Sequence, residues 1–311
     1  MNWDERRQIV KVATLYYFEG LTQAEIAKKI GVSRPLISKL LNKAKEHGIV
    51  EIYIRDENAH TVELEHQLER KYGLKEAIVI PAAGRNSDMI KHSLGKAASF
   101  YVSKNIEGAK KLGISWGSTL EKFVQEYPYE QHQQLKIIPL VGGMGSKLVE
   151  IHSNLLAYQL AQKMNATCSY LYAPAMVESE ELKKRLIQSE DIALVLEEGR
   201  NVDMAVVGLG TPFEESTMTT MEYLKDENLK SLKDAGAVGD IGSRFYDHEG
   251  KQIAHPLNDL VIGLDIEEYK RIPEVIGIVE GVHKAESIKA ALKGGFLDVL
   301  VIDDTMAALL L

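Results

Sequence analysis

Cysteine is almost absent from this chain of 311 residues, which contains Cys168 alone. A single cysteine excludes an intrachain disulfide and fits a protein that stays in a reducing compartment. Long hydrophobic runs are absent too, since no stretch of eighteen apolar residues is available to cross a membrane. The first residues, MNWDERRQIVK, lack the apolar segment of a signal peptide. We therefore expect a cytoplasmic protein, with Cys168 buried in an apolar strand rather than acting as a nucleophile.

The common catalytic and cofactor motifs are missing as well. The sequence has no H-E-x-x-H, no Cys/His metal spacing, no G-x-S-x-G elbow, no G-x-x-x-x-G-K-[ST] loop and no full G-x-G-x-x-G. Asp303 and Asp304 follow the last predicted strand, where capping of the final helix is favoured over metal binding. The sequence thus predicts no catalytic residue, no metal and no cofactor. Four scattered histidines are expected to be surface or structural residues: His152, His248, His255 and His283.

Residues 23–41, QAEIAKKIGVSRPLISKLL, have the pattern of two short helices joined by a tight turn. Thr22 and Glu25 are spaced as a capping box at the start of the first helix. Gly31 supplies the positive φ that a sharp turn requires, and Ser33 is placed to cap the second helix. A helix-turn-helix unit of this kind lays its second helix in the major groove of DNA. The alternative is an ordinary helical hairpin with a solvated face.

Two further features favour DNA binding. Residues 5–19 supply a preceding helix, which completes a three-helix core. Residues 1–55 carry ten Lys and Arg against six Asp and Glu, a net charge of +4, whereas the whole chain carries −8 and residues 56–311 therefore about −12. A basic head on an acidic body is typical of a nucleic-acid module attached to a different kind of domain. The candidate DNA-binding residues are Gln23, Ser33, Arg34, Pro35, Ser38, Lys39 and Lys43.

The region after the helix-turn-helix predicts the end of the head and a connecting helix. Residues 49–55, IVEIYIR, read as a strand, and residues 57–72 read as a helix that stops at Gly73. The helix has an apolar stripe at spacing four, formed by Leu64, Leu68 and Tyr72. Two interpretations have equal weight: the stripe serves as a connector and dimer contact, or it packs on its own domain.

From residue 76 onward apolar strands alternate with helices, which predicts a mostly parallel sheet covered by helices on both faces. The predicted fold class is α/β, with a helix-turn-helix domain (1–55), a linker or oligomerisation helix (56–75) and a Rossmann-like domain (76–311). The candidate strands are 77–80, 112–114, 136–140, 167–171, 203–208, 260–264, 275–279 and 298–302, and the clearest helices are 88–103, 118–126, 150–164, 180–198 and 284–293.

Glycines and small hydroxyl residues recur at the ends of these strands. The stretches are GISWGST (113–119), GGMGS (142–146), GLGTP (208–212) and GVHK (281–284). Ligands of open α/β sheets bind at the carboxyl ends of strands, near helix N-termini, although any one such loop is explained by chain reversal. Lys284 stands at the start of a helix, where a bound anion would offset its unfavourable position. Asp240 could accept hydroxyl groups of a polyol or simply cap a turn.

These stretches, together with LYYFEGLTQAEIAKKIGVSRPLISKLL, AVGDIGSRFYDHEGK and the C-terminal IVEGVHKAESIKAALKGGFLDVLVIDDTMAALLL, resemble the SorC family of bacterial carbohydrate-operon regulators. The resemblance covers nearly the whole chain. It implies a body similar to glucosamine-6-phosphate isomerase and ribose-5-phosphate isomerase in fold, without catalysis, and a phosphorylated sugar as effector. It also implies a homodimer or homotetramer on double-stranded operator DNA.

The resemblance implies effector-binding roles for particular residues of this chain. Val141 departs from the pattern, because some relatives have a basic residue there, so no relative's particular sugar is carried over. A sugar-phosphate isomerase or deaminase-like enzyme with an appended DNA-binding head is the alternative function. The implied effector-binding residues are Ser115, Gly117, Ser118, Thr119, Gly142, Gly143, Gly208, Asp240 and Lys284.

Overall fold

Three helices make up the N-terminal unit. The computed structural model describes residues 3–50 and 59–311, which separate into two compact units with the boundary after Ala59. In the first unit α1 spans Trp3–Tyr17, α2 spans Gln23–Ile30 and α3 spans Arg34–Glu46. Apolar side chains at helical spacing on all three helices meet in one core. They include Ile9, Val12, Ile26, Ile37 and Leu40.

Local sequence accounts for the turn of this unit. The Thr22 side chain accepts a hydrogen bond from the Glu25 N–H at 3.3 Å, and the Glu25 carboxylate accepts one from the Thr22 N–H at 2.8 Å, which confirms the capping box. Gly31 has a φ of 78° and donates its N–H to the carbonyl of Ala27. Ser33 occupies the N-cap position of α3, but its side chain makes no capping hydrogen bond.

The predicted strand 49–55 is not seen where the structure can test it. Ile49 and Val50 form a bend, and both backbone N–H groups bond the carbonyl of Ala44 at the end of α3. The remainder of that prediction, residues 51–55, and the first two residues of the predicted helix 57–72 lie outside the described residues.

A parallel sheet of seven strands organises the second unit. Its spatial order is β1-β10-β9-β5-β2-β3-β4. Strands β2, β3 and β4 follow one another toward one edge of the sheet, and β5, β9 and β10 follow one another toward the other edge, which β1 forms. A second sheet of three short antiparallel strands, β6-β7-β8, was not predicted. The strands are β1 Glu76–Ile80, β2 Lys111–Ile114, β3 Lys136–Pro139, β4 Thr167–Cys168, β5 Met204–Val207, β6 Leu209–Gly210, β7 Gly239–Ile241, β8 Arg244–Tyr246, β9 Val275–Ile278 and β10 Val299–Asp303.

Helices cover both faces of the large sheet, and alternate residues of each strand enter separate cores. On β10, Leu300 and Ile302 belong to one core, whereas Val299 and Val301 belong to the other. The helices are α4 Ala59–Tyr72, α5 Ser87–Asn105, α6 Ser118–Glu126, α7 Ser153–Lys163, α8 Glu180–Ile187, α9 Glu190–Arg200, α10 Thr217–Thr220, α11 Asp226–Asp234, α12 Pro256–Asp259, α13 Ile266–Tyr269, α14 Ala285–Gly294 and α15 Asp304–Leu310, with 3-10 turns at Val149–Ile151 and Val282–Lys284.

Helix α4 packs on its own domain through the predicted stripe. Leu68 is fully buried in the core on one face of the sheet, and Leu64 is buried beside it. The carboxylates of Glu65 and Glu69 accept hydrogen bonds from backbone N–H groups of the edge strand β1, those of Val79 and Ala77. These bonds cover an edge that would otherwise be open to pairing.

Two predicted elements differ from the structure for identifiable reasons. Residues 260–264 form no strand of either sheet; they make isolated antiparallel bridges, Gly263 with Val141 and Val261 with Met176, and three of their carbonyls accept hydrogen bonds from the Arg244 guanidinium. The predicted helix 180–198 divides into α8 and α9 at Ser189, whose backbone is extended. The prediction of a cap at the last helix is confirmed, since Asp303 accepts the N–H of Met306. Among the described residues, no helix is long and apolar enough to cross a membrane.

Candidate functional site

The N-cap and the first two turns of α3 present the most accessible of the predicted DNA-binding residues. Ser33, Arg34, Pro35 and Lys39 are all exposed, and the Ser33 hydroxyl is left available by the missing cap bond. Pro35 lies in the first turn of α3, where its lack of an N–H has no cost. A guanidinium, an ammonium and a hydroxyl on the N-terminal half of one helix suit base edges and phosphates.

Three other candidates are less free. Gln23 and Ser38 are half-buried. The Lys43 ammonium forms an ion pair with the carboxylate of Glu5 on α1 at 2.5 Å, and both side chains are about one-third exposed. The hydrogen bond from Lys43 lowers the pKa of Glu5. Lys43 therefore links α1 to α3 through this ion pair. The contact joins two helices, so the pattern of either helix alone does not predict it.

A cleft lies in the second unit at the carboxyl ends of β2, β5 and β9. Between β2 and β5 the chain changes direction across the sheet, the position at which open α/β sheets place ligand sites. The cleft has a cavity volume of about 60 Å³. The lining residues are Trp116, Gly117, Ser118, Thr119, Leu120, Gly208, Leu209, Gly210, Thr211, Glu215, Ser216, Thr217, Met218, Asp240, Gly242, Ile278 and Lys284.

Most of the residues predicted to bind an effector are brought together here. Six of them line the cleft: Gly117, Ser118, Thr119, Gly208, Asp240 and Lys284. Ser115 follows β2 directly, and its side chain is buried rather than on the cleft wall. The glycine pair also lies away from the cleft wall. A Cβ on Gly142 would lie 2.5 Å from the backbone of Ala173 and Pro174, whereas a Cβ on Gly143 would meet nothing within 4 Å.

The start of α6 forms one wall of the cleft. Gly117 precedes the helix with a φ of 140°, a conformation that favours glycine, and Ser118, Thr119 and Leu120 form the first turn. The N–H groups of a first turn have no acceptor within their own helix. Because all three residues line the cleft, they offer a site for an anion.

Opposite charges line the same cleft. Burial raises the pKa of Asp240 to about 6, although nearby Lys284 acts in the other direction. Burial likewise lowers the pKa of Lys284, against the attraction of Glu280 and Asp240. Lys284 occupies the N-cap position of α14, as the sequence predicts for the start of that helix. The site thus combines a half-buried cation with a buried carboxylate.

A segment without a recognisable motif also lines the cleft. Residues 215–218 line it from Glu215 to Met218, and the Glu215 carboxylate lies 3.8 Å from a ring nitrogen of His283. Trp116 also lines it, and the indole N–H donates to the Ser243 hydroxyl. The segment follows the predicted GLGTP loop, so its position in the sequence could have indicated that it lies at the site. Its residue types match no ligand-binding motif.

Comparison with known proteins assigns both units. Residues 56–311 match the protein family described as "Putative sugar-binding domain", and residues 12–59 match the MarR family. The chain is 31% identical to the sorbitol operon regulator of Klebsiella pneumoniae over 312 aligned positions, covering 100% of this chain and 99% of the relative. It is 29% identical to the deoxyribonucleoside regulator of Bacillus subtilis, covering 99% and 98% of the two chains.

Solved structures agree. The full-length sorbitol operon regulator SorC of Klebsiella pneumoniae has a TM-score of 0.78 at 30% identity and covers 99% of each chain. A DeoR family transcriptional regulator from Listeria monocytogenes has a TM-score of 0.77 at 44% identity, covering 81% of this chain and 99% of its own.

A helix-turn-helix unit joined to an α/β sugar-binding domain defines the class of DNA-binding transcriptional regulators. The relatives bear names of regulators rather than of enzymes, which favours this class over the isomerase alternative. The chain belongs to the SorC family of transcriptional regulators.

Proposed function

We propose that this regulator responds to a phosphorylated sugar bound in the cleft at the switch point of the large sheet. The observation that carries the proposal is the meeting of Lys284 with the free N–H groups of the α6 first turn in one cleft. A phosphate group would accept hydrogen bonds from these N–H groups and pair with the Lys284 ammonium. Free sugars, which lack the anion, would leave the Lys284 charge unpaired.

Asp240 gives the same site a means of recognising the sugar. Its carboxylate accepts hydrogen bonds, and hydroxyl donors of a polyol would restore solvation that burial removes. The names of two relatives, which concern sorbitol and deoxyribonucleosides, support an effector from carbohydrate metabolism. An acidic acceptor beside a cationic phosphate site thus fits a sugar phosphate better than an uncharged sugar or a simple anion.

Operator DNA is the partner we propose for the first unit, in a cytoplasmic protein that works as a homodimer or homotetramer. Arg34, Ser38 and Lys39 would contact bases and phosphates, with help from Gln23 and Ser33. The proposed domain boundaries are 1–55 for the head, 56–75 for the connecting helix and 76–311 for effector binding. Effector binding changes operator affinity only if it distinguishes two arrangements of paired heads.

Thermal unfolding with and without sugar phosphates tests the effector proposal. Ligands that bind only the folded state raise its melting temperature. We expect one or more of ribose 5-phosphate, fructose 6-phosphate and glucosamine 6-phosphate to raise it, and the matching free sugars and inorganic phosphate to have far smaller effects. Lys284→Ala should abolish the shift, because a charge-assisted contact is worth about 1.5–3 kcal/mol, or roughly tenfold to a hundredfold in affinity.

Lys289→Ala is the matched control, since Lys289 is a half-exposed lysine on the same helix α14, away from the cleft lining. That variant should respond like the unmodified protein. A full response in Lys284→Ala would remove Lys284 from the site. Mobility shift of the protein on its own promoter, with the responding ligand, then links the cleft to DNA binding.

A further inference from the structure

The second unit contains another cavity, separate from the effector cleft. It lies between helices α8 and α9 on one side and residues 261–268 on the other, and it has a cavity volume of about 270 Å³. None of the described residues that line this cavity also lines the cleft. The cavity is therefore a second place with room for a small molecule, and the side chains around it define the chemistry of that molecule.

Arg244 lines this cavity and is almost fully buried, with 6% of its surface exposed. Its guanidinium donates hydrogen bonds to the backbone carbonyls of Asn258, Val261, Gly263 and Leu264. These four bonds leave at least one of the five N–H groups of a guanidinium without an acceptor among the described residues. Carbonyl groups solvate the charge but do not neutralise it, so this wall holds a buried cation that no described carboxylate pairs with directly.

Lys183 brings a second cation to the same cavity. Its ammonium donates to the carbonyl of Asp259 at 2.7 Å, which again is a backbone group rather than a carboxylate. Burial, and in addition the charge of Arg244, lowers the pKa of Lys183. The repulsion shows that the two cations lie near each other. An anion beside both would offset this repulsion and replace part of the solvation that burial removes.

The charges around the cavity favour a ligand with a single negative charge. Three cations and two carboxylates line it, a net charge of +1: Lys183, Arg200, Arg244, Asp265 and Glu268. Arg200 and Glu268 already pair with each other at 2.5 Å, and the Asp265 carboxylate accepts the N–H of Glu268 at 2.8 Å. A monoanion balances the remaining charge, whereas a phosphate dianion would exceed it and be repelled by the two carboxylates.

The rest of the cavity wall is apolar. Ile187 and Ala193 line it from α8 and α9, and three buried residues complete it, Leu196, Val261 and Ile262. An apolar wall removes the apolar surface of a ligand from water but offers no partner to hydroxyl groups. The cavity therefore suits a carboxylate on a compact apolar body, and it does not suit the sugar phosphate proposed for the cleft.

We propose that this cavity is a second ligand site, which binds a small monocarboxylate with its carboxylate beside Arg244 and Lys183 and its apolar body against α9. The site is independent of the effector proposal, because the two sets of lining residues do not overlap.

Thermal unfolding of the full-length protein with benzoate as the probe tests the proposal, without any sugar phosphate and at constant ionic strength. Benzoate should raise the melting temperature, because a ligand of the folded state stabilises that state. Three compounds at the same concentration should have far smaller effects. Benzamide has the shape of benzoate without its charge, acetate has the charge without the ring, and inorganic phosphate is partly a dianion at neutral pH. No effect of benzoate, or an equal effect of benzamide, would overturn the proposal.

Two variants of the cavity separate binding there from binding elsewhere. Lys183→Gln should lower the affinity for benzoate roughly tenfold to a hundredfold, as expected for the loss of a charge-assisted contact. Lys184→Gln is the matched control and should bind benzoate like the unmodified protein, because Lys184 is the next residue of α8, exposed and outside the cavity lining. Ala193→Leu fills the cavity from α9 without changing its charge, and should prevent binding while unfolding stays cooperative. Equal affinities of Lys183→Gln and Lys184→Gln would contradict the proposed site.

Crystals soaked with 4-bromobenzoate locate the ligand directly, because the anomalous signal of bromine marks one end of the ring. The bromine should lie beside Ala193 and Leu196, with the carboxylate toward Arg244. Bromine in the effector cleft instead would show that benzoate occupies that site, which would overturn the second site and leave the effector proposal standing.

Discussion

Asp240 and Lys284 line one cleft, and each favours the charged form of the other, but burial outweighs their attraction in both. Burial raises the pKa of the carboxyl and lowers the pKa of the ammonium. The cleft therefore brings together two charged groups that burial removes from water, which is unfavourable for the folded state. A sugar phosphate supplies an anion for Lys284 and hydroxyl donors for Asp240, so part of its binding free energy comes from relieving this cost.

The first prediction concerns the stability of the protein without ligand. A pKa of about 6 in the folded state, against 3.8 ordinarily, means that the folded protein keeps a proton on Asp240 where the unfolded chain has released it. The stability contributed by the neutral carboxyl is present below about pH 4 and is lost as the pH rises through 6. Asp240→Asn should thus raise the free energy of unfolding at pH 7 by roughly 1–3 kcal/mol, and change it little at pH 4.

Urea unfolding at the two pH values measures this difference. The control is Asp234→Asn, at an exposed aspartate that ends α11, and it should change stability at neither pH. Asp240→Asn should at the same time lose most of the response to sugar phosphate, because an amide is a weaker acceptor for hydroxyl groups than a carboxylate. Equal stabilisation at pH 4 and pH 7 would contradict the titration argument.

The second prediction separates the two members of the glycine pair. Gly142→Ala places a Cβ against the backbone of Ala173 and Pro174, which cannot move as a side chain would, and overpacking of this kind costs about 1–3 kcal/mol. Gly143→Ala meets open space and should leave stability within about 0.5 kcal/mol. Denaturant midpoints of the two variants, measured side by side, provide the test; similar midpoints would show that Gly142 is not packed as described.

The local chemistry of the head was predictable because it depends on residues close in sequence. The capping box of Thr22 and Glu25 and the positive φ of Gly31 follow from residue types at fixed spacing. The order of strands and helices in the body was predictable for a similar reason, since alternating apolar runs have a period that a single sequence displays. The predicted strand 260–264 instead makes isolated antiparallel bridges to Val141 and Met176, partners that are distant in sequence and that a local apolar pattern does not show.

Parts of the cleft could not be predicted without the fold. Asp240 and Lys284 were found through the strand-end loops, but their mutual electrostatic effect requires β7 and the start of α14 to be neighbours in space. Glu215 and Met218 lie on a polar segment without a motif, and only the fold brings them to the cleft. Gly142 shows that a pattern typical of a ligand loop can also serve close backbone packing, which the sequence alone does not distinguish.

The third prediction concerns operator binding by α3. Arg34→Ala should weaken operator affinity by about 1–3 kcal/mol and relax sequence preference, as expected for a side chain that reads a base edge. Lys39→Ala should weaken binding to all sequences alike and reduce the salt slope by about one, as expected for a phosphate contact. Lys233→Ala, an exposed lysine on α11, is the control, and mobility shifts at several salt concentrations distinguish the three variants. An unchanged affinity in Arg34→Ala would exclude it as a reader.

The fourth prediction contrasts two hydroxyl residues at the starts of adjacent helices. Thr22 caps α2 through its side chain, so Thr22→Ala should destabilise the head by about 0.5–2 kcal/mol. Ser33 occupies the same position on α3 but makes no capping bond, so Ser33→Ala should leave the stability of the head unchanged and weaken operator binding instead. Hydrogen exchange of peptides from residues 3–46 measures the first effect and mobility shift the second. If Ser33→Ala accelerates hydrogen exchange as much as Thr22→Ala does, the Ser33 hydroxyl caps α3 and is not free to contact DNA.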